Sequence, residues 1–425
     1  MALSFFIDYF IWQGKPFGFH LTNIILHILT AWCVYRWLFM IVPHPAVALF
    51  ASFLFALHPV QSELVNNIGY RSDLLMTLFY LLAMISFVRE RTLPANSRLK
   101  LICPYVTFFL ALLSKEAAVT LPVMLLVYDV LYLNRHWRET LIQRKWEYTG
   151  LFTILGFYFY LYFFAVPNHA LLGLSHFKFL FQLKIILKIF YNYVLALLWP
   201  FSVHILPPVY VPIVDSFHYY QLILAIIFLC LGMTIIFRQA KKNLWISFSL
   251  IWFFVTYLPT SNLIPLPNPY AYRFLYLPSV GFCVLLAALI ERAGGFIQKI
   301  GNGKSYSLLF KIVILVFLMI KIIPLNRYFK NDVAACQEMI KNYPDSTKPY
   351  EVLGIIFLQH RSYDRAINFF PGIIEHVQSL IHNFVGLIIR RCSLIRHCVE
   401  GFCLEQFQGF QKQCDEFPIR IEPGD

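Results

Sequence analysis

Apolar runs separated by short polar breaks dominate the chain from Phe19 to Leu325. They fall at 19–42, 44–58, 74–88, 99–113, 117–133, 148–167, 182–200, 219–237, 244–258, 274–290 and 307–325. Runs of about 20 apolar residues cross ~30 Å of hydrocarbon as helices, so the pattern predicts about ten or eleven helices. Several runs hold only about 15 residues; these are extended by flanking residues, packed inside the bundle, or less than full spans. After Leu325 the apolar runs give way to a helical pattern with caps and turns. The fold class expected is all-α, a polytopic membrane helix bundle over 1–325 followed by helical hairpins over 326–376 and an atypical tail over 377–425.

Composition agrees with this pattern. Hydrophobic residues make up 59% of the chain and charged residues 13%, against roughly 25% charged in an ordinary soluble domain. The net charge of +13 does not indicate nucleic acid, because the basic residues sit in short breaks between apolar runs and form no stripe with interleaved aromatics. They act as topology signals. Arg89, Arg91, Arg98 and Lys100 share one break, and Arg135, Arg138, Arg144 and Lys145 a second. Arg238, Lys241 and Lys242 share a third, and Arg292, Lys299 and Lys304 a fourth. The positive-inside rule puts these breaks in the cytoplasm. The intervening loops, His58 to Asp73, Ser114 to Glu116, Val166 to Tyr219 and Pro259 to Arg273, then face the lumen or periplasm. The alternation holds only if 182–200 does not cross. Lys184 and Lys188 lie one helical turn apart there, as in a helix that lies at the interface or re-enters the bundle.

Met1 to Trp12 lacks a basic n-region, and Asp8 interrupts its apolar run, so this stretch does not read as a cleavable signal peptide. Cys33, Cys103, Cys230 and Cys283 lie in or beside apolar runs, where a thiol behaves as a small hydrophobe. Cys392, Cys398, Cys403 and Cys414 in the tail lack zinc-ligand spacing.

The outer loops carry charges that call for an explanation. Glu63, Asp73 and Glu116 supply carboxylates, while Arg71, Lys115 and Arg273 supply cations, all on the expected outer face. Structural roles are open for each: Arg71 pairing with Asp73, Lys115 and Glu116 capping a helix, Arg273 anchoring among Tyr270, Tyr272 and Tyr276. His20, His27 and His58 read as satisfied bundle or interface residues, and Asp129 as a solvated boundary residue. Beyond the last span, Tyr350, Leu353, Gly354, Phe357, Tyr363, Ala366 and Phe370 fall at tetratricopeptide-repeat spacing. In that pattern Tyr350, Leu353, Gly354, Phe357, Ala366 and Phe370 pack two antiparallel helices together. Asn331 to Asp345 resembles the second helix of a preceding repeat. The period is lost at Pro371.

Several motifs in order resemble the membrane region of the TMTC family. They are His58-Pro59-Val60…Glu63…Gly69-Tyr70-Arg71-Ser72-Asp73, Leu113-Ser114-Lys115-Glu116, Leu258-Pro259-Thr260-Ser261-Asn262 and Tyr272-Arg273-Phe274-Leu275-Tyr276-Leu277-Pro278. Members of this family are regarded as protein O-mannosyltransferases of the GT-C fold with tetratricopeptide repeats. The resemblance covers roughly residues 16–370 and begins at Lys15-Pro16-Phe17-Gly18, which corresponds to the family's second helix. It therefore implies a chain without the first helix and its acidic outer loop, and Asp8 is not assigned as a base.

The resemblance implies transfer of a sugar, mannose in eukaryotic members, from a polyisoprenyl-phosphate donor to a hydroxyl of a secreted or membrane protein. That protein would be held by the repeats on the luminal or periplasmic side of the endoplasmic reticulum or bacterial inner membrane. Glu63, Asp73 and Glu116 are then the candidate catalytic carboxylates, and Arg71, Lys115 and Arg273 the candidate donor-phosphate ligands. No resident cofactor is implied, and a divalent metal remains open. The alternative is a non-catalytic membrane scaffold that presents repeats to a partner protein. A transporter is less favoured, since charges gather at span ends and no internal symmetry is evident.

Overall fold

A computed structural model of the chain describes residues 1–92, 98–133, 136–165, 179–204, 219–239, 242–266, 268–300, 304–344 and 346–360. The elements in order are α1 Ala2–Trp12, α2 Pro16–Ile41, α3 Pro45–Leu57, α4 Ser62–Asn66, α5 Arg71–Thr92, α6 Arg98–Ser114, α7 Leu121–Tyr132 and α8 Trp137–Gln143. They continue as α9 Lys145–Ala165, α10 Phe179–Leu198, α11 Tyr219–Gln239, α12 Leu244–Tyr257, α13 Ser279–Ile300, α14 Lys304–Tyr328, α15 Asp332–Asn342 and α16 Thr347–Gln359. Short 3₁₀ turns at Pro59–Gln61, Ile68–Tyr70, Glu116–Thr120 and Tyr272–Leu275 shape the connections. The described residues are all-α. The chain divides into two compact units, 1–349 and 350–425.

Most helices coincide with the apolar runs, and two begin later than expected. The run at 117–133 opens as the 3₁₀ turn Glu116–Thr120, and α7 starts at Leu121 with Pro122 in its first turn. The run at 274–290 opens as the turn Tyr272–Leu275, and α13 starts just after Pro278. Proline lacks an N–H, is tolerated in a helix's first turn and disfavours helix at the residue before it, so it sets these starts.

Among the described residues, five helices are long and apolar enough to cross a membrane, or up to seven if each bent pair is one span. α11 and the Ser307–Tyr328 stretch of α14 each bury only 11% of their apolar window, against 72% for the Ile68–Arg91 stretch. An apolar surface that faces outward all along a helix belongs in lipid. The chain is an integral membrane protein.

At the centre of the first unit, Trp37 of α2 meets Trp252 of α12 with ring centroids 4.4 Å apart. Tyr80 of α5 packs edge-on against the same indole, whose Nε1–H donates to the Leu277 carbonyl at 3.0 Å. Both indoles are buried, and each contributes the large burial term of an aromatic core residue. Tyr128 and Tyr132 of α7 extend this aromatic layer to Phe248.

At one end of the bundle, called the basic end here, Lys242 lines a groove with Met40, Val42, Tyr132 and Trp245. The segments 58–70, 115–120, 258–266 and 268–278 lie at the opposite end, the motif end. α10 is long and apolar enough to cross by length and composition, yet it is tied to the motif end near both of its termini. Gln182 donates to the Asn262 carbonyl at 2.8 Å, and the Leu197 carbonyl bonds His58 Nε2 at 3.1 Å. Between them the Tyr193 hydroxyl bonds both the carbonyl and the N–H of Ala271.

Asp129 is not a solvated boundary residue. It is fully buried near the basic end, where Arg91 bonds both its oxygens at 3.1 and 3.3 Å and the Tyr148 hydroxyl donates at 3.0 Å. Arg91 also reaches Glu147 and Glu90, so the ions of α5, α7 and α9 form one network. A charge withdrawn from water persists only when paired in this way.

In the second unit, Tyr350, Leu353, Gly354 and Phe357 all fall on α16, with Leu353 and Gly354 buried. Ala366 and Phe370 lie outside the described residues. α15, which belongs to the first unit, occupies the stretch expected for the second helix of a preceding repeat. It is capped by Asn331, whose side chain accepts from the Ala334 N–H at 2.7 Å.

Candidate active site

The polar residues between α3 and α5 are held in place by bonds to distant elements. Beyond Leu57, where α3 ends, the chain bends by 47° into Pro59–Asn66. His58 caps the first turn there through the Val60 N–H. Gln61 donates to the Ser279 hydroxyl at 2.9 Å, which fixes this segment to the start of α13. Glu63 on α4 is thereby held beside the Tyr272–Leu275 turn, and its carboxylate accepts the Tyr272 N–H at 2.9 Å.

Around Glu63 the motif loops converge. Arg273 stands 4.0 Å from the Glu63 carboxylate, with its guanidinium carbon 4.0 Å above the Tyr70 ring. Lys115, at the end of α6, pairs with Asp73 of α5 at 2.6 Å, and its ammonium lies 5.2 Å from the Phe274 ring. Phe274 thus lies between the two cations, since Arg273 also sits over it at 5.0 Å. The result is two carboxylates and two cations on three motif loops, backed by aromatic rings. Glu63 and Arg273 keep side-chain exposures of 13% and 16%, enough to meet a ligand. Burial pushes the Glu63 carboxyl up to about 7, against the opposing pull of Arg273 and of the Tyr272 N–H. A carboxyl held near neutrality can accept a proton at physiological pH. Two cations backed by aromatic rings can hold a phosphate.

The expected residues do not all meet. Glu63, Asp73, Lys115 and Arg273 come together, and Glu116 is exposed beside Lys115, close enough to act on Asp73 electrostatically. Arg71 turns away. Its guanidinium is fully buried between α1 and α2, where it pairs with Asp8 at 2.6 Å and donates to the Asn23 side chain and to the Phe19 and Ser4 carbonyls. Arg71 and Asp73 are two apart at the start of α5, and residues at that spacing do not share a helix face. The Arg71–Asp73 pair therefore does not form, and each finds its own partner. Lys115 stands at the N-cap of the Glu116–Thr120 turn but makes no side-chain cap bond there, its ammonium pairing across to α5 instead.

His27 is wired as a bundle residue, bonding the Tyr276 hydroxyl at 2.8 Å and the Ala56 carbonyl at 3.0 Å. Among the described residues no group of three or more His, Cys, Asp and Glu side chains has the arrangement of a metal site. Sequence reasoning gave Asp8 no partner and Tyr70 no role. An ionisable residue inside an apolar helix was the signal for Asp8, since such a charge needs a partner. Nothing in the spacing marks Tyr70 as the platform under Arg273.

No family model matches the chain, and no solved structure does. Curated proteins from several animals do. The protein O-mannosyl-transferase Tmtc1 of Drosophila melanogaster is 34% identical over 130 residues, covering 31% of this chain and 15% of its own length. The protein O-mannosyl-transferase TMTC3 of Homo sapiens is 30% identical over 131 residues, covering 30% of this chain and 14% of its own length. The protein O-mannosyl-transferase TMTC4 of Mus musculus aligns more widely, at 27% identity over 346 residues, covering 67% of this chain and 46% of its own length. The chain spans less than half the length of these relatives. Across insect, human and mouse, the proteins that this chain is similar to are protein O-mannosyl-transferases of the TMTC kind.

Proposed function

We propose that the motif end carries out glycosyl transfer, moving mannose from a polyisoprenyl-phosphate donor to a serine or threonine hydroxyl of a secreted or membrane protein. The observation that carries this reading is the Glu63–Arg273 and Asp73–Lys115 arrangement. It offers a carboxyl poised near neutrality beside two cations.

In this reading the acceptor oxygen attacks the anomeric carbon as its proton passes to Glu63. The bond from that carbon to the phosphate oxygen breaks, and its electron pair leaves with the polyisoprenyl phosphate. Arg273 and Lys115 meet the negative charge that develops there. Asp73 orients the Lys115 ammonium, and Glu116, exposed beside it, stands where an acceptor approaches. Arg71 has no place at the phosphate, since its donors are spent on Asp8, Asn23 and backbone carbonyls. The motif end then faces the lumen of the endoplasmic reticulum or the periplasm, and the repeats receive the acceptor. Support for this orientation is the basic charge at the other end.

The test is a transfer assay on the purified chain in lipid nanodiscs, with polyprenyl-phosphate mannose and an acceptor peptide. Glu63→Gln, Lys115→Ala and Arg273→Ala are each expected to lower transfer by about 100-fold or more, and Glu63→Gln, which leaves no new charge unpaired at Asp73, should do so with nearly unchanged melting temperature. The wild-type rate should fall as pH drops through about 7, because a base must be ionised to take a proton. A second reading, a non-catalytic scaffold, draws on the fact that both cations already face a carboxylate. Absence of transfer by a folded wild-type chain selects the scaffold, and transfer that survives Glu63→Gln removes Glu63 from the site.

A further inference from the structure

Helices α10, α11, α12 and α13 enclose an elongated cavity of about 370 Å³. Its walls are apolar, with Phe190, Leu197, Phe228, Phe254 and Phe282 among them, and its polar lining consists of Gln239 and Arg292. Both polar residues sit at one end, the basic end, because Gln239 closes α11 and Arg292 lies far along α13 from its motif-end start at Ser279. The lipid-facing helix α11 forms one wall and approaches α12 closely at Gly232, where an added Cβ would press on the Phe254 ring.

The length of the cavity points to its occupant. From Phe282 to Arg292 the α13 axis rises about 15 Å, half of the ~30 Å hydrocarbon core. This is the depth of one leaflet. Arg292 is exposed and has no ion pair or hydrogen bond among the described residues. Its planar guanidinium is suited to bidentate contact with a phosphate. Arg238 and Lys242, both exposed, lie beside Gln239 in the sequence and add positive charge at the same end.

We propose that this cavity holds an acyl chain of an anionic phospholipid from the leaflet at the basic end, with its phosphate on Arg292. Charge complementarity selects an anionic headgroup, and the cytoplasmic leaflet, to which the basic residues assign this end, is the one rich in anionic lipid. A polyisoprenyl chain entering from the motif end would carry its phosphate at the opposite mouth, away from Arg292. The site is therefore separate from the Glu63 cluster and does not depend on the function proposed for it.

The test is native mass spectrometry of the full chain, delipidated and then loaded with phosphatidylglycerol or phosphatidylcholine of identical acyl chains. The wild type is expected to retain phosphatidylglycerol about fivefold better, the effect of one cation on an anionic headgroup. Arg292→Ala should abolish that preference, and Arg292→Lys should keep it. Leu289→Trp, which adds bulk to the lining at a residue 62% exposed, should lower retention of both lipids. The altered side chains are exposed, so the fold should survive, which a single elution peak and an unshifted melting temperature would verify. Equal retention of the two lipids by the wild type overturns the proposal, as does a preference that persists in Arg292→Ala. Displacement of phosphatidylglycerol by an equal concentration of polyprenyl phosphate also overturns it, and would reassign the cavity to a donor chain.

Discussion

Arg71 and Arg273 illustrate how neighbouring motifs assign one residue type to different tasks. Arg273 keeps one face on Tyr70 and the other near Glu63, with part of its surface free. Arg71 has no exposure and surrounds itself with the Asp8 carboxylate, the Asn23 amide and two carbonyls. Removing one member of such a buried pair leaves an uncompensated charge and costs about 3–5 kcal/mol. Asp8→Ala is therefore expected to lower the melting temperature in detergent strongly, whereas Glu116→Ala, at an exposed carboxylate, should leave it nearly unchanged. Equal melting temperatures for Asp8→Ala and the wild type would mean that the Asp8–Arg71 pair does not hold α1 in place. Thr22 reinforces the pair by donating to Asp8 at 2.8 Å. Thr22→Val should show a smaller loss of about 1 kcal/mol, the net worth of one hydrogen bond.

Among the helices, the bilayer itself made most of the fold legible. A run long enough to cross must be apolar along its length, so α2, α3, α11 and α14 begin and end within a few residues of their apolar runs. Where the boundaries differ, local chemistry decides: Pro122 and Pro278 delay α7 and α13, which apolar content alone does not register. α1 was hidden for another reason. Its apolar side chains Phe6, Tyr9 and Phe10 are exposed while its Asp8 is buried, so its pattern makes sense only once Arg71 of α5 is brought against it. The same holds for the site. Glu63, Asp73, Lys115 and Arg273 could be singled out because charge between apolar runs needs a purpose, but which face each takes is a tertiary fact. The α12–α13 pair gives this scale its prediction. Gly281 lies against the α12 backbone, where a Cβ would collide with the Ser249 carbonyl oxygen. Backbone yields less readily than a side chain, so Gly281→Ala should destabilise by about 1–3 kcal/mol. Gly156 on α9 has nothing within 4 Å of its would-be Cβ, and Gly156→Ala should be neutral or stabilising by up to ~1 kcal/mol. A Gly281→Ala protein as stable as the wild type would show that α12 and α13 stand further apart than described.

At the scale of the whole molecule, the two ends of the bundle differ in what they expose, and α10 decides whether the sequence's charge alternation is obeyed. If α10 crosses, the end of α9 and the residue after α10 lie on opposite sides of the membrane, and the basic break after α11 falls on the motif side. If α10 stays at the motif end, all the basic breaks share one side. The bonds from Gln182 to Asn262 and from His58 to Leu197 tie it near both termini to that end, and the cost of stranding basic breaks on the wrong side acts in the same direction. Single cysteines in a cysteine-free background, introduced into sealed vesicles, separate the two arrangements. Phe164→Cys, at the end of α9, and Trp199→Cys, just after α10, replace side chains 75% and 57% exposed. Both are expected to react with a membrane-impermeant maleimide from the same side as Lys330→Cys. His136→Cys and Lys242→Cys, at exposed positions of the basic end, should react only from the other side. Labelling of Phe164→Cys and Trp199→Cys from opposite sides would make α10 a span. The basic residues at 238 and 242 would then share a side with Glu63 and Arg273, and the leaflet assigned to Arg292 would have to be revised with them.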